Sequence, residues 1–491
     1  MKTMRKILAC LLAFGSVLPV VSCKGGDENK NSSTDVQLYF WDSGYGSEFM
    51  ENIVDKYNES QSDYHVTLDV EADAATIILS LDIGKANTYD LYFTMLNTMQ
   101  YNKDFTSLND VLDSNAKGES VTIKSKYDEN ILKGIVNADG SYNTLTYGSG
   151  WVGIVYNKAM ISQDRLPNTT KELEYLTSEL AGEKENSAWI FYNDQYNNGY
   201  WNYLINAWEA QYDGLDYYYN TTMKLTDANG NAPSKDVMLA KDGRYQALKV
   251  LESILTPTTV HPEATSRVFT KVQTLFMNGH AAMMPNGNWL KTESSGSAEI
   301  GMMKMPVIST IVEKLENNKM TDSTLSAIID EIDAGATSSD KCSDNDFKRI
   351  KEARNIMFNN SCEQYVFIPD YSPAKEGAKD FLRYFYSDEG TVEFMKSTGL
   401  PTFVDLTDES KFDKSTLDSW GKEQFAMMDT AIALTDIKTK ADLYFNMSLN
   451  QYANLTYAQS FFSSNATARK TADDLWTDVI TRVNENWEDW T

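Results

Sequence analysis

Val36, Leu38 and Phe40 alternate with Gln37, Tyr39 and Trp41, the two-residue period of a β-strand. A glycine-containing loop follows at 42–47. From Glu48 the apolar positions recur on one helical face, through Phe49, Ile53, Val54 and Tyr57. Tyr64, Val66, Leu68 and Val70 return to the strand period; residues 74–85 predict a second helix and 90–93 a short buried strand. This alternation of strand and helix predicts an α/β class with a mostly parallel sheet covered by helices. Ligands of such sheets gather beyond the carboxyl ends of the strands. The loops expected there are 41–45, with Trp41, Asp42 and Tyr45, and 94–97.

Residues 145–157 read Leu-Thr-Tyr-Gly-Ser-Gly-Trp-Val-Gly-Ile-Val-Tyr-Asn. Gly148, Gly150 and Gly153 have the spacing of a dinucleotide-binding loop. That loop needs a helix to open at its glycines, and Ile154, Val155 and Tyr156 continue as strand instead. The segment is therefore expected to cross between two domains. Helices are predicted at 165–180, 201–212 and 269–277, strands at 189–192 and 281–284, a polar loop at 193–198 and a turn at 285–288. Residues 302–308 are expected to form a second crossover strand, and 309–360 an acidic, helix-rich insertion. Ala378, Phe381, Leu382 and Phe385 share a face of a helix over 374–386. Ser387 is placed to cap the next helix, which ends near Gly399. Leu475, Val479, Val483 and Trp487 mark a C-terminal helix.

The first residues change the picture. Lys2, Arg5 and Lys6 precede an uncharged apolar run from Ile7 to Leu18, too short to span a bilayer, which takes about 20 residues. Val20-Val21-Ser22-Cys23 follows and resembles the lipobox of bacterial lipoproteins. Residues 1–22 are expected to be a signal peptide, and Cys23 the first mature residue and the site of lipid attachment. Residues 23–35 hold no large apolar side chain and read as a flexible tether. This predicts a protein held by lipid at the extracytoplasmic face of the cell membrane.

The 491 residues exceed what one core usually supports, so two domains are expected. Net charge is -26, and losing Lys2, Arg5 and Lys6 leaves -29, a surface that repels nucleic acid. Of four cysteines, Cys342 and Cys362 remain after the tether, and the sequence leaves open whether they pair. The 10 Trp and 28 Tyr offer flat apolar faces with polar edges, suited to amphipathic ligands.

No catalytic pattern is legible. His65, His261 and His280 are scattered, without zinc-ligand spacing. There is no nucleophile elbow and no phosphate-binding loop. Asp227-Ala-Asn-Gly-Asn231 begins like a calcium loop, but Ala232 stands where glycine is needed and Met238 where Glu is needed. No cofactor and no metal are expected.

Four segments carry a resemblance. Trp151-Val-Gly-Ile-Val-Tyr-Asn-Lys158, Gly279-His-Ala-Ala-Met-Met-Pro-Asn-Gly-Asn-Trp289, Lys375-Glu-Gly-Ala-Lys-Asp-Phe-Leu382 with Asp388-Glu-Gly390, and Gly399-Leu-Pro401 resemble, in that order, motifs of the family 1 extracellular solute-binding proteins. These are the receptors of ABC importers, of maltodextrin-binding-protein type. The resemblance implies a two-lobed α/β fold of the periplasmic-binding-protein type II, with a ligand cleft and hinge. One lobe would be 36–147 plus 306–395, with the insertion at about 309–360. The other would be 151–304 plus 396–491.

It also implies a monomeric, non-catalytic receptor that takes a carbohydrate, an oligosaccharide, to a membrane permease. Sugars need stacking aromatics and short polar groups that satisfy hydroxyls. Trp289, after Asn288, matches the Trp that contacts ligand in that family. Trp41, Asp42, Tyr45, Trp151, Tyr192, Asn193, Tyr196 and Tyr371 complete the expected ligand set. The alternatives are a lipid-anchored glycoside hydrolase, with two carboxylates facing across the cleft, or a receptor for a peptide or polyamine.

Overall fold

The computed structural model describes residues 34–42, 44–71, 89–95, 104–137, 139–181, 187–192, 200–226, 231, 233–265, 268–402, 404–435 and 457–490. Among them the alternation at the start becomes β1 (Asp35–Trp41), followed by helix Glu48–Ser60, β2 (His65–Glu71) and β3 (Leu91–Thr94). β1 pairs in parallel with β2 on one side and β3 on the other. Val36, Leu38 and Phe40 pack with Phe49, Ile53, Val54 and Tyr57 of the helix. Each such buried side chain contributes roughly 1.5–3 kcal/mol relative to exposure. Tyr39 points to the other face, into a second cluster with Tyr92, Phe105, Tyr365 and Phe367, against which Trp41 rests. The helix expected at 74–85 lies outside the described residues.

β4 (Leu145–Thr146), β5 (Trp151–Asn157), β6 (Ser187–Trp189), β7 (Ala281–Gly287), β8 (Ile300–Met303), β9 (Ile356–Asn359), β10 (Tyr365–Phe367) and β11 (Ile432–Leu434) complete two mixed sheets. The first runs β2-β1-β3-β10-β4. The second runs β11-β9-β5-β7-β6, with β8 also paired to β5.

Register fixes how the sheets meet. In the first sheet Tyr365, the start of β10, lies opposite Thr94 and Thr146, the ends of β3 and β4. In the second, Trp151 at the start of β5 lies opposite Asn359 at the end of β9, and Val152 opposite Gly287 at the end of β7. The chain crosses directly between these two edges at 147–150 and again at 360–364. The carboxyl ends of the parallel strands in both halves therefore face one junction.

The second crossing corrects the expectation. Residues 302–308 stay with the second half: β8 pairs with β5, Val307 bridges Thr169, and the Trp208 indole N–H donates to the Pro306 carbonyl at 3.1 Å. The insertion, expected in the first lobe, packs there too. Its helices Asp322–Asp333 and Asp344–Asn355 bury Leu325, Ile328, Ile329, Phe347 and Ile350. The latter helix lies against Trp201–Asp213. β9 then joins the second sheet, so the chain returns to the first half only after Asn359.

The third passage also falls later than 396. Helix Asp388–Thr398 is capped by Ser387 and ends at Gly399 (φ 69°), as expected. Asp388 accepts from the Thr407 hydroxyl at 2.6 Å and pairs with Lys126 and Lys411, each at 3.0 Å. Although buried, its carboxyl is held well below the usual range by those donors. The segment around 404–411 is thereby pinned to the first half. Trp420 has reached the second half, where its indole N–H donates to the Asn288 carbonyl at 3.2 Å. Helix Ala472–Trp490 packs against Gly243–Ile254. Cys342 and Cys362 form no disulfide with each other, and the Cys362 thiol donates to the Ile131 carbonyl at 3.6 Å.

Candidate functional site at the junction of the halves

The two crossings lie against each other, and glycine makes this possible. A Cβ on Gly148 would fall 1.8 Å from Gln364 Oε1, and one on Gly150 would fall 1.5 Å from Asn360 Oδ1. The Asn360 amide donates to the Gly150 carbonyl at 2.8 Å. Gln364 Nε2 donates to the Tyr45 hydroxyl at 3.0 Å. Several buried polar atoms have no hydrogen-bond partner among the described residues: Thr146 Oγ1, Ser149 Oγ, Trp151 Nε1, Asn288 Oδ1, Asn359 Nδ2 and Gln364 Oε1. Each such atom costs about 1–3 kcal/mol while it stays dry, so the packed junction gains from hydration.

The expected residues divide by place. Tyr45, Trp151, Asn288 and Trp289 converge here and are buried. Burial pushes the Tyr45 phenol up, keeping it protonated. Asn288 Nδ2 donates to the Ser149 carbonyl and its backbone N–H to the Trp151 carbonyl, both at 2.8 Å. Trp289 is only 4% exposed. Asp42 is exposed, and its Oδ1 accepts from the Gly46 amide at 3.1 Å. Trp41 and Tyr371 sit instead with the first sheet's aromatic cluster; the Tyr371 and Tyr92 hydroxyls are 2.9 Å apart. Asn193, Tyr196 and Cys23 lie outside the described residues.

Tyr192 belongs to a wall that sequence reasoning missed. Its ring meets Phe269 edge-on at 5.4 Å; Phe269 meets Tyr200 at 6.2 Å; Tyr200 stacks with Tyr203 at 5.8 Å and meets Trp289 at 5.8 Å. Tyr192, Tyr200, Tyr203 and Phe269 are half-buried. The Tyr203 hydroxyl donates to Glu363 at 2.8 Å, tying the wall to the second crossing. Tyr200 holds φ 67°, a left-handed conformation rare for an aromatic residue and often found at functional sites. The signal available was the run Tyr200-Trp-Asn-Tyr203 at a helix start, which reads equally as core.

Acidic groups accompany the aromatics. Burial, together with the charge of Asp42, raises the Glu293 carboxyl, while Gln273 opposes the shift. Burial, Glu293 and Glu363 push the Tyr200 phenol up, and the nearby Trp289 indole N–H opposes the shift. Among the described residues no group of three or more His, Cys, Asp or Glu side chains converges as a metal site would require. No described helix is long and apolar enough to cross a membrane.

A family model described as bacterial extracellular solute-binding protein matches residues 52–416. The chain belongs to that family. The receptor is thus a non-catalytic, solute-binding protein. Solved structures agree in fold. It is similar to the solute-binding protein RafE in complex with raffinose (13% identity, TM-score 0.57), covering 92% of this chain and 99% of that one. It is similar to the cyclic α-maltosyl-1,6-maltose binding protein of Arthrobacter globiformis (16%, TM-score 0.59, 92% and 98% covered). The maltose-bound MalE3 of T. maritima is comparable (11%, TM-score 0.59, 92% and 99% covered). No protein with a curated description matches the chain.

Proposed function

We propose that the receptor binds a carbohydrate, an oligosaccharide, at the junction of its halves and delivers it to the membrane permease of an ABC importer. It acts as a monomer held at the extracytoplasmic face by lipid on Cys23. The observation that carries the sugar reading is the wall of Tyr192, Phe269, Tyr200 and Tyr203 beside Glu363. Rigid half-exposed rings suit the C–H faces of pyranose rings. A carboxylate that already accepts from one hydroxyl can accept from a ligand hydroxyl as well, in a charge-assisted bond. The carboxylates of Asp42, Glu293 and Glu363 disfavour anionic solutes. Tyr192 and Trp289 of the expected set belong to this wall; Tyr200, Tyr203, Phe269 and Glu363 join them. The raffinose- and maltose-bound relatives add an analogy of fold.

Calorimetry of the purified mature chain tests the reading with maltotriose, raffinose, spermidine and a short peptide. Saturable heat from a sugar is expected. Binding of spermidine or the peptide alone would replace carbohydrate by the other solute class. Mass spectrometry of the native N-terminus should find a diacylated Cys23, and an unmodified start elsewhere refutes the anchor.

A further inference from the structure

Trp289 is the one member of the aromatic wall that is fully covered, and the cover comes from the other half of the molecule. The turn after β1 lies on it. Gly44 holds φ 102°, and a Cβ there would meet the indole five-membered ring at 3.2–3.4 Å. Tyr45 approaches the indole edge-on with centroids 6.4 Å apart, and is itself fixed by Phe394 at 5.6 Å and by the Gln364 side chain. From its own half, Gly287 lies beneath the six-membered ring. Only glycine at 44 permits this approach: any side chain would both strain the backbone and press on the indole.

We propose that the Gly44–Tyr45 turn is an autoinhibitory clasp, holding the stacking face of Trp289 until solute displaces it. Trp289 is continuous with the wall, since its ring meets the Tyr200 ring edge-on with centroids 5.8 Å apart. A solute lying along Tyr192, Phe269 and Tyr200 therefore reaches Trp289 next and meets the turn there. The contact is built to release. Asp42 on the turn and Glu293 at the end of the Trp289 helix carry like charges across the same seam, and the polar groups of the crossings gain from hydration when the halves part. The inference rests on the carbohydrate reading only for the identity of what displaces the turn.

Two experiments on the full mature chain separate the clasp from that reading. In the first no sugar is added. Gly44→Ala should raise the oxidation rate of Trp289, read by peptide-resolved hydroxyl-radical footprinting, at least fivefold over wild type while circular dichroism is unchanged. An unchanged rate overturns the clasp. In the second, Gly46→Cys with Thr292→Cys places two thiols where a Gly46 Cβ would lie 3.9 Å from Thr292 Cγ2, within disulfide reach. Oxidation should cross-link the sugar-free protein and weaken maltotriose or raffinose binding at least tenfold, with recovery on reduction. Full affinity in the cross-linked protein overturns the clasp. If neither sugar binds even the reduced protein or wild type, the carbohydrate reading fails for those probes and the footprinting result alone decides the clasp.

Discussion

Where the chain passes between the halves, at 147–150 and 360–364, amide side chains fill the space that glycines leave. Where the halves merely touch, at Gly44 and Trp289, an indole fills it. Both joints depend on a glycine pressed against a large neighbour, yet they differ in what separation does. Parting the first breaks polar contacts that water can replace. Parting the second exposes an aromatic face that only another apolar surface can cover. The polar joint is suited to bend in place, and the aromatic joint to open and exchange partners.

The sharpest break in that comparison is Trp289→Ala. It removes the indole from between Gly44, Gly287, Tyr45 and Tyr200, and should cost about 3 kcal/mol in urea unfolding, as for a large-to-small core change. Sugar binding should fall with it. A variant as stable as wild type would mean that the aromatic joint contributes nothing in the ligand-free protein. Next comes Gly150→Ala, which places a methyl on Asn360 Oδ1 and should cost about 2 kcal/mol. Combining it with Asn360→Gly should recover much of that loss, since the obstacle is a side chain. Failure to recover would place the strain in the backbone.

Tyr203→Phe is a smaller test, of the link between the wall and the second crossing. Loss of its bond to Glu363 should weaken sugar binding by about 1 kcal/mol, read by calorimetry, with little change in the melting temperature.

Smallest is the effect of charge across the aromatic joint. The Glu293 carboxyl is raised in the folded protein, so its protonated form is favoured there. Its contribution is complete below the ordinary carboxylate range, near pH 4, and is lost as pH rises through the raised value. Glu293→Gln should therefore gain stability over wild type at pH 8, with the gain vanishing toward pH 4. The residue still reaches solvent, which screens the interaction, so the gain should stay below about 1 kcal/mol and shrink in high salt. A pH-independent difference would assign the effect to Gln273 rather than to Asp42.

Local pattern carried much of the fold. Val36 to Trp41 and Phe49 to Tyr57 declared strand and helix by period. Ser387 and Gly399 declared a helix's ends by capping chemistry, and Gly148 with Gly150 announced a crossing. The home of the insertion was not legible, because Leu325, Ile328 and Ile329 mark a buried face without naming what buries it. The second crossing was misplaced for a related reason. Ile300 to Met303 reads the same whether it leaves its sheet or pairs with β5, while the true crossing, Asn360-Ser-Cys-Glu-Gln364, is polar and has no period. At the site, the sequence pointed to Trp289 and Asn288 by motif. It could not reveal that Gly44, far away along the chain, covers the indole.

The pressing of the two crossings against each other also limits how the molecule can deform. A single strap between two bodies permits swivel, tilt and slide. Two short straps in backbone contact, with Asn360 bonded to Gly150, act as a pair of pins on one axle. Sliding and swivelling would shear Gln364 past Gly148, where there is no clearance, whereas rotation about the axle leaves that spacing unchanged. The angle between the halves becomes a single coordinate, so the thickness of whatever lies between them can be read as one number at the outer rim. A permease that senses that rim would need to know nothing about the chemistry inside.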